Sequence, residues 1–304
     1  MPVSPFHQDS YNKHADWYKN TFPSPEKKHE VLNRFIKYRG SINHWLQSIF
    51  FDSLKPLLID KEKIWMTLGD AYGHDAAFLL NSGVKQVIAT DLSTDLLEVS
   101  KKLGLITEYK SENAESILME DNSVDYILCK ESYHHFPRPY AALYEMIRVA
   151  NHGFIIIEPQ DPISRMSPLL FITNILEKLS PGMINKIWKN RFSYEPVGNY
   201  VYKVSEREFE KYAAALNLPC IAVKQLNPNF WFLGCEKIQA KNTNHKFMAI
   251  QIKKIFRDML TKFGLAPSQT LCIAVFKTAP SPELRRALKK DGYKLTDIPH
   301  NPYL

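Results

Sequence analysis

Short apolar runs at 64–68, 84–90, 124–129 and 153–157 alternate with helix-period stretches at 74–81, 94–103 and 139–149. Strands separated by helices of that length predict a parallel sheet covered on both faces. Gly83 and Gly104 fall where helix C-caps belong. Residues 1–60 read instead as rather polar helices, with aromatics at Tyr11, Trp17, Tyr18, Phe35 and Trp45. Residues 163–192, containing Pro168 and Pro181, interrupt the alternation with an amphipathic stretch read as an inserted helical cap. Ser205-Glu206-Arg207-Glu208 is a capping box opening a helix to about Leu216, and Ile221–Val223 begins a further strand. A helix near 244–262 and a last strand at Leu271–Phe276 follow, and Pro280 begins a tail. No internal repeat appears. The expected organisation is an N-terminal helical lid (1–55), a main domain (56–278) with a cap at about 160–204, and a C-terminal tail (279–304).

Composition narrows the class. In 304 residues, 45% hydrophobic and 23% charged positions are near the globular average and exclude bulk disorder. No apolar run reaches the roughly 20 residues of a membrane-spanning helix. The opening MPVSPFHQDSYNK lacks the apolar stretch of a signal peptide, so a cytoplasmic protein is expected. Cys129, Cys220, Cys235 and Cys272 are widely spaced, which argues for reduced thiols rather than a disulfide or zinc framework. Charge is uneven. Residues 1–150 carry 17 Lys+Arg and 20 Asp+Glu, whereas 151–304 carry 22 and 12, a balance of +10. Lysine and arginine pairs at 253–254, 285–286 and 289–290 suit either an anionic partner or solvated helix faces.

The first strand ends in Thr67-Leu68-Gly69-Asp70-Ala71-Tyr72-Gly73-His74-Asp75. Small residues at 69, 71 and 73 let the backbone turn sharply and approach a ligand. The second strand ends at Asp91, where a carboxylate can accept both ribose hydroxyls of a nucleoside. A dinucleotide fingerprint wants glycine where His74 stands, whereas small residues at relative positions 1, 3 and 5 suit S-adenosylmethionine (SAM). Charge agrees: a pyrophosphate would face Asp70, but SAM brings a sulfonium and an ammonium.

Over roughly residues 40–278 the chain resembles a class I SAM-dependent methyltransferase of the small-molecule, methyltransferase-11-like type. Its glycine-rich motif corresponds to Thr67–Gly73, with Thr67 in place of the usual acid, Ala71 in place of the middle glycine, and Asp70 as a candidate substitute acid. Asp91 matches the ribose acid, with Leu92 beside it. Ser111-Glu112-Asn113-Ala114-Glu115 resembles the segment after the third strand, which implies Asn113 and the Ala114 backbone near the adenine edge. Val124–Leu128 resembles the fourth strand, leading through Lys130 into Ser132-Tyr133-His134-His135-Phe136, a His-His-Phe sequence that many small-molecule methyltransferases carry here. Tyr144–Val149 with Gly153 matches the next helix and turn. The resemblance implies a Rossmann-like three-layer αβα sandwich with a mixed seven-stranded sheet. It also implies SAM held by Gly69, Asp70, Ala71, Gly73, Asp91, Leu92, Asn113, Ala114 and Lys130.

Methyl transfer is a direct displacement, so the protein mainly aligns acceptor and methyl and excludes water. A hydroxyl acceptor also needs a base, and histidine serves best near neutrality. His134 and His135, just past the fourth strand, are the candidate bases or else shape the loop wall. Glu158, ending the fifth strand, is the third catalytic candidate. With Asp161 and a histidine it could also hold a divalent ion, but no metal is expected. Asn227-Pro228-Asn229-Phe230 is similar to the box of amino-methylating enzymes, yet it follows the sixth strand rather than the fourth. Trp188, Tyr194, Tyr200, Tyr202 and Trp231 either line an acceptor pocket or belong to the core.

The expected activity is methyl transfer from SAM to a small-molecule acceptor, anionic or sugar-containing, on oxygen with a histidine base. The alternatives are an RNA or nucleotide-linked acceptor, suggested by the basic later half, a non-catalytic SAM-binding partner protein, and a nicotinamide dehydrogenase.

Overall fold

The computed structural model describes residues 5–162, 167–179, 182, 184, 192–195 and 199–303. Pro181 and Trp188 lie outside them. Three helices come first: α1 (Pro5–Thr21), α2 (Pro25–Lys37) and α3 (Ile42–Asp52). Ser24 and Ser41 cap the second and third, each accepting a backbone N–H three residues on. The alternating region then gives β1 (Ile64–Leu68), α4 (His74–Asn81), β2 (Gln86–Asp91), α5 (Asp95–Lys102), β3 (Glu108–Ser111), β4 (Val124–Lys130), α6 (Pro139–Val149) and β5 (Ala150–Pro159). It continues with α7 (Ser167–Leu179) in the cap, α8 (Glu206–Ala215), β6 (Cys220–Leu226), α9 (His245–Lys262), β7 (Thr270–Phe276), α10 (Pro282–Lys290) and β8 (Lys294–Asp297).

The strands form one mixed sheet in the order β3-β2-β1-β4-β5-β7-β6-β8. The first five are parallel, and β7, β6 and β8 join by antiparallel pairing. The αβα sandwich is therefore as expected, with an eighth strand. Residues 279–304, read from sequence as a tail, fold back as α10 and β8, and β8 covers the free edge of β6. The polar edge strand β3 carries no apolar signature because three of its four residues are exposed. β7 is the opposite case, buried at all seven positions. Its Leu271, Ile273 and Val275 enter one core layer, and Cys272, Ala274 and Phe276 the other.

Gly153, matched to a turn, lies inside β5 opposite Phe276, at φ +151°. A Cβ there would stand 2.1 Å from the Val275 carbonyl oxygen, so only glycine lets β7 pair this closely. Gly83 and Gly104 follow α4 and α5 at φ +91° and +71°, as helix-terminating positions require. The four cysteines are free and buried. No helix among the described residues is long and apolar enough to cross a membrane.

Candidate active site

Strand order reverses between β1 and β4, and the crevice outside their carboxyl ends is where an open α/β sheet receives a ligand. A cavity of about 620 Å³ lies there. Its wall is built by the turn after β1, the ends of β2 and β4, the segment after β3, and one face of α1.

The turn after β1 depends on two glycines at positive φ. Gly69 sits at +71°, and a Cβ on it would meet Ser132 at 2.6 Å. Gly73, at +69°, packs against Ile106. Ser132 holds the turn from the β4 side, its hydroxyl donating to the Leu68 carbonyl at 3.0 Å. Asp70 is buried, and its carboxylate accepts the N–H of Asp75 (3.2 Å) and of Ala76 (2.8 Å) and the Thr67 hydroxyl (3.0 Å). It thus caps α4 from inside the loop, and Thr67 serves Asp70. Burial, then the neighbouring Asp75, push the Asp70 carboxyl up to about 8.

Asp91 is buried on the cavity wall, with one oxygen accepting the Ser93 N–H at 3.0 Å. Burial raises its pKa to about 6. Leu92, Asn113 and Ala114 line the same side. The Asn113 side chain accepts the Glu115 N–H at 2.9 Å, fixing the turn. Lys130 lies beneath the loop, 3.2 Å from Asp75 and 3.6 Å from Glu131, with its ammonium 5.3 Å from the centre of the Phe51 ring. Burial opposes its charge, but Asp75 and Glu131 outweigh burial and hold its pKa above the ordinary lysine value. Glu131 follows at φ +51°, a conformation non-glycine residues adopt at a cost.

Of the sequence-derived cofactor candidates, Gly69, Asp70, Ala71, Asp91, Leu92, Asn113, Ala114 and Lys130 line this cavity, whereas Gly73 shapes the turn from behind it, against Ile106 and Ser100. The three catalytic candidates separate. Only His135 is on the wall. Behind it, fully buried Glu158 accepts the N–H groups of Ser132 (2.9 Å) and Tyr133 (2.8 Å) through one oxygen, and meets His134 Nδ1 at 2.5 Å through the other. Burial works against a charged His134 ring, but Glu158 prevails and raises its pKa. His135 is pulled the other way: burial, then the adjacent His134, lower its pKa against the opposing pull of Glu195.

Residues without a sequence signal complete the site. Glu195 of the cap meets His135 Nδ1 at 2.5 Å. Buried Asn199 donates to the His135 carbonyl (2.5 Å) and to His14 Nε2 (2.6 Å), and accepts from the Ser10 hydroxyl. His14 and Ser10 belong to α1, so the N-terminal helix and the cap meet over His135. One donor atom each from His14, His135 and Glu195 lies within 4.8 Å of the others, a grouping able to hold a metal ion. These residues lie 60 to 189 positions from their partners, too far for any spacing pattern.

Tyr194, Tyr200 and Tyr202 do not line the cavity; Tyr202 packs edge-on against Tyr133 and Tyr140. The wall aromatics are Tyr11, Trp17 and Tyr18 of α1, with Tyr72 and Phe136. Trp231 lines a second recess of about 260 Å³, which shares Glu131 with the main cavity. Asn227 is structural: it donates to Asp258 at 2.8 Å and accepts the Gln269 N–H at 3.1 Å. The main cavity wall carries one lysine and seven acidic side chains, of which Asp70 is the one whose carboxyl is raised to about 8.

Residues 66–157 match a family model described as a methyltransferase domain. The uncharacterized methyltransferase-like C25B8.10 of Schizosaccharomyces pombe is 24% identical over 210 residues, covering 60% of this chain and 79% of that protein. Among solved structures, a chain of the complex between the Haloferax volcanii Trm112 methyltransferase activator and a methyltransferase superposes with a TM-score of 0.51. Its identity is 11%, over 89% of this chain and 98% of that one. YcgJ of Bacillus subtilis is 18% identical, with a TM-score of 0.46 over 76% of this chain and all of its own. The domain match, the strand order and the glycine turn beside a strand-terminal acid agree: residues 66–157 form a methyltransferase domain, on a fold similar to that of the class I SAM-dependent methyltransferases.

Proposed function

We propose that the cavity binds SAM and that the protein transfers its methyl group to an oxygen of an uncharged, polar small molecule such as a sugar, with His135 as base. The observation that carries this reading is that His135 lines the same cavity as the glycine turn and Asp91, with its Nδ1 tied to Glu195. With Nδ1–H donating to that carboxylate, Nε2 keeps its lone pair. The acceptor oxygen forms the new bond to the methyl carbon as the sulfur–carbon bond breaks, and the hydroxyl proton passes to Nε2. S-adenosylhomocysteine is the other product. Asp91 would hold the ribose hydroxyls, and the Gly69–Gly73 turn the methionine end. The acidic wall suits the cationic cofactor and argues against an anionic acceptor. His134 and Glu158 would position the loop.

The test uses calorimetry and turnover together. Asp91→Ala should weaken SAM binding at least about tenfold, as loss of hydrogen bonds from a charged group predicts. His135→Ala should keep SAM affinity and lose about a hundredfold or more in turnover. Unchanged SAM affinity in the first variant overturns the cofactor site, and full turnover in the second overturns the base.

A second reading is favoured by the grouping of His14, His135 and Glu195. There a divalent cation would polarise the acceptor oxygen and lower its pKa, and His135 would be a ligand. The base reading expects activity unchanged after exhaustive EDTA treatment. Loss with EDTA, restored by a divalent metal, would select the cation instead.

A further inference from the structure

Helix α9 has two apolar faces, and the sandwich uses one. Phe247 and Ile250 pack with Ile42 and Leu46 of α3 and with Cys235. Met248, Ile252, Ile255, Phe256 and Met259, with Phe263 at the helix end, follow at i, i+4, i+7, i+8, i+11 and i+15. At about 100° per residue they form a single stripe on the opposite side. Ile252, Ile255, Phe256 and Phe263 are each 60–70% exposed. No described residue covers them. A stripe this continuous is not the scattered surface apolarity of ordinary proteins.

The flanks say what fits it. Lys246 and Lys253 run along one side of the stripe and Lys262 along the other, all three exposed. Asp258, the helix's one acid, is engaged by Lys254 at 2.7 Å and by Asn227. The three flanking lysines make no ion pair among the described residues. An apolar band edged by unneutralised lysines matches a surface with an apolar interior and anionic rim. We infer that α9 lies in the headgroup region of an anionic lipid bilayer, its Ile, Phe and Met side chains among the acyl chains and its lysines on lipid phosphates and carboxylates. A second copy would set the same lysines against one another. A nucleic acid would satisfy the lysines but offer no apolar phase. The inference is independent of the methyl-transfer chemistry.

The full chain should co-sediment with vesicles of phosphatidylcholine and phosphatidylserine at roughly three to one. It should not do so with phosphatidylcholine alone, and salt should release it. Ile252→Asp combined with Phe256→Asp should lower partitioning at least about tenfold without altering the far-UV circular dichroism. Lys253→Gln and Lys262→Gln, both at exposed positions, should each lower it about fivefold. Failure of the unaltered protein to bind the anionic vesicles overturns the inference. So does a dimer by light scattering that the double aspartate variant splits. RNA binding that the double aspartate variant retains, in place of vesicle binding, overturns it equally.

Discussion

His134 and His135 adjoin in the chain but are prepared for opposite protonation states. His134 lies on fully buried Glu158, which raises its pKa above the ordinary 6.5. His135 is lowered below that value by burial and by His134. A neutral His135 beside a charged His134 is an arrangement in which one ring can accept a proton while the other holds the loop. Turnover should therefore stay level through neutrality and fall in acid with a midpoint below pH 6.5, read from kcat/KM against pH. His134→Gln removes the neighbouring charge and should move that midpoint upward. The stability that His134 lends runs the other way. Because its folded pKa is raised, that contribution is full below about pH 6.5 and is lost as pH rises through the folded value. Denaturant melts across that range would show the loss in the parent and not in His134→Gln. The histidine pair was legible from its position after the fourth strand. Which of the two faces the cavity was not, because that depends on the single 3-10 turn over Tyr133–His135 and on Glu158 fixing its amides.

Among the elements, the glycine turn, Asp91 and the helices behind them could be read almost to the residue. Their signals are local: small residues in a strand-to-helix turn, apolar strand runs, glycine after a helix. The capping box at Ser205 formed as its four residues dictate. β5 shows where local pattern ran short. Its tight pairing with β7 requires an absent Cβ at Gly153, and the reason lies in a strand more than a hundred residues later. Gly153→Ala should cost at least about 3 kcal/mol in urea unfolding, since the methyl meets backbone rather than a movable side chain. A smaller loss would mean that β5 and β7 can separate there without disturbing the sheet.

For the whole molecule, the basic later half divides into two populations. Lys224, Arg285 and Lys294 are paired, with Asp291, Asp297 and Glu206 respectively, and these pairs tie α10 and β8 to the sheet and to α8. Among the described residues the lysines flanking the outer face of α9 are not, which is why they and not Arg285 mark a surface for an anionic partner. The terminal residues are structural. Leu288 and Tyr293 enter the core layer shared by β1 and β7, and the Tyr293 hydroxyl donates to the Ser53 carbonyl at 2.7 Å. A chain ending after Thr278 should melt well below the full chain and aggregate through the bared β6 edge. An unchanged melting temperature in that truncation would make these residues a dispensable tail.

The sequence by itself determined the alternating sheet-and-helix order, the turn after β1 and the acid after β2, because each is specified by residues within a few positions of one another. Only the tertiary structure decided that His14, His135, Glu195 and Asn199 meet, that Asp70 caps a helix, that the terminus completes the sheet, and that α9 turns an apolar face outward. Those arrangements arise from chain segments brought together by core packing, and nothing in their local spacing encodes the distance between them.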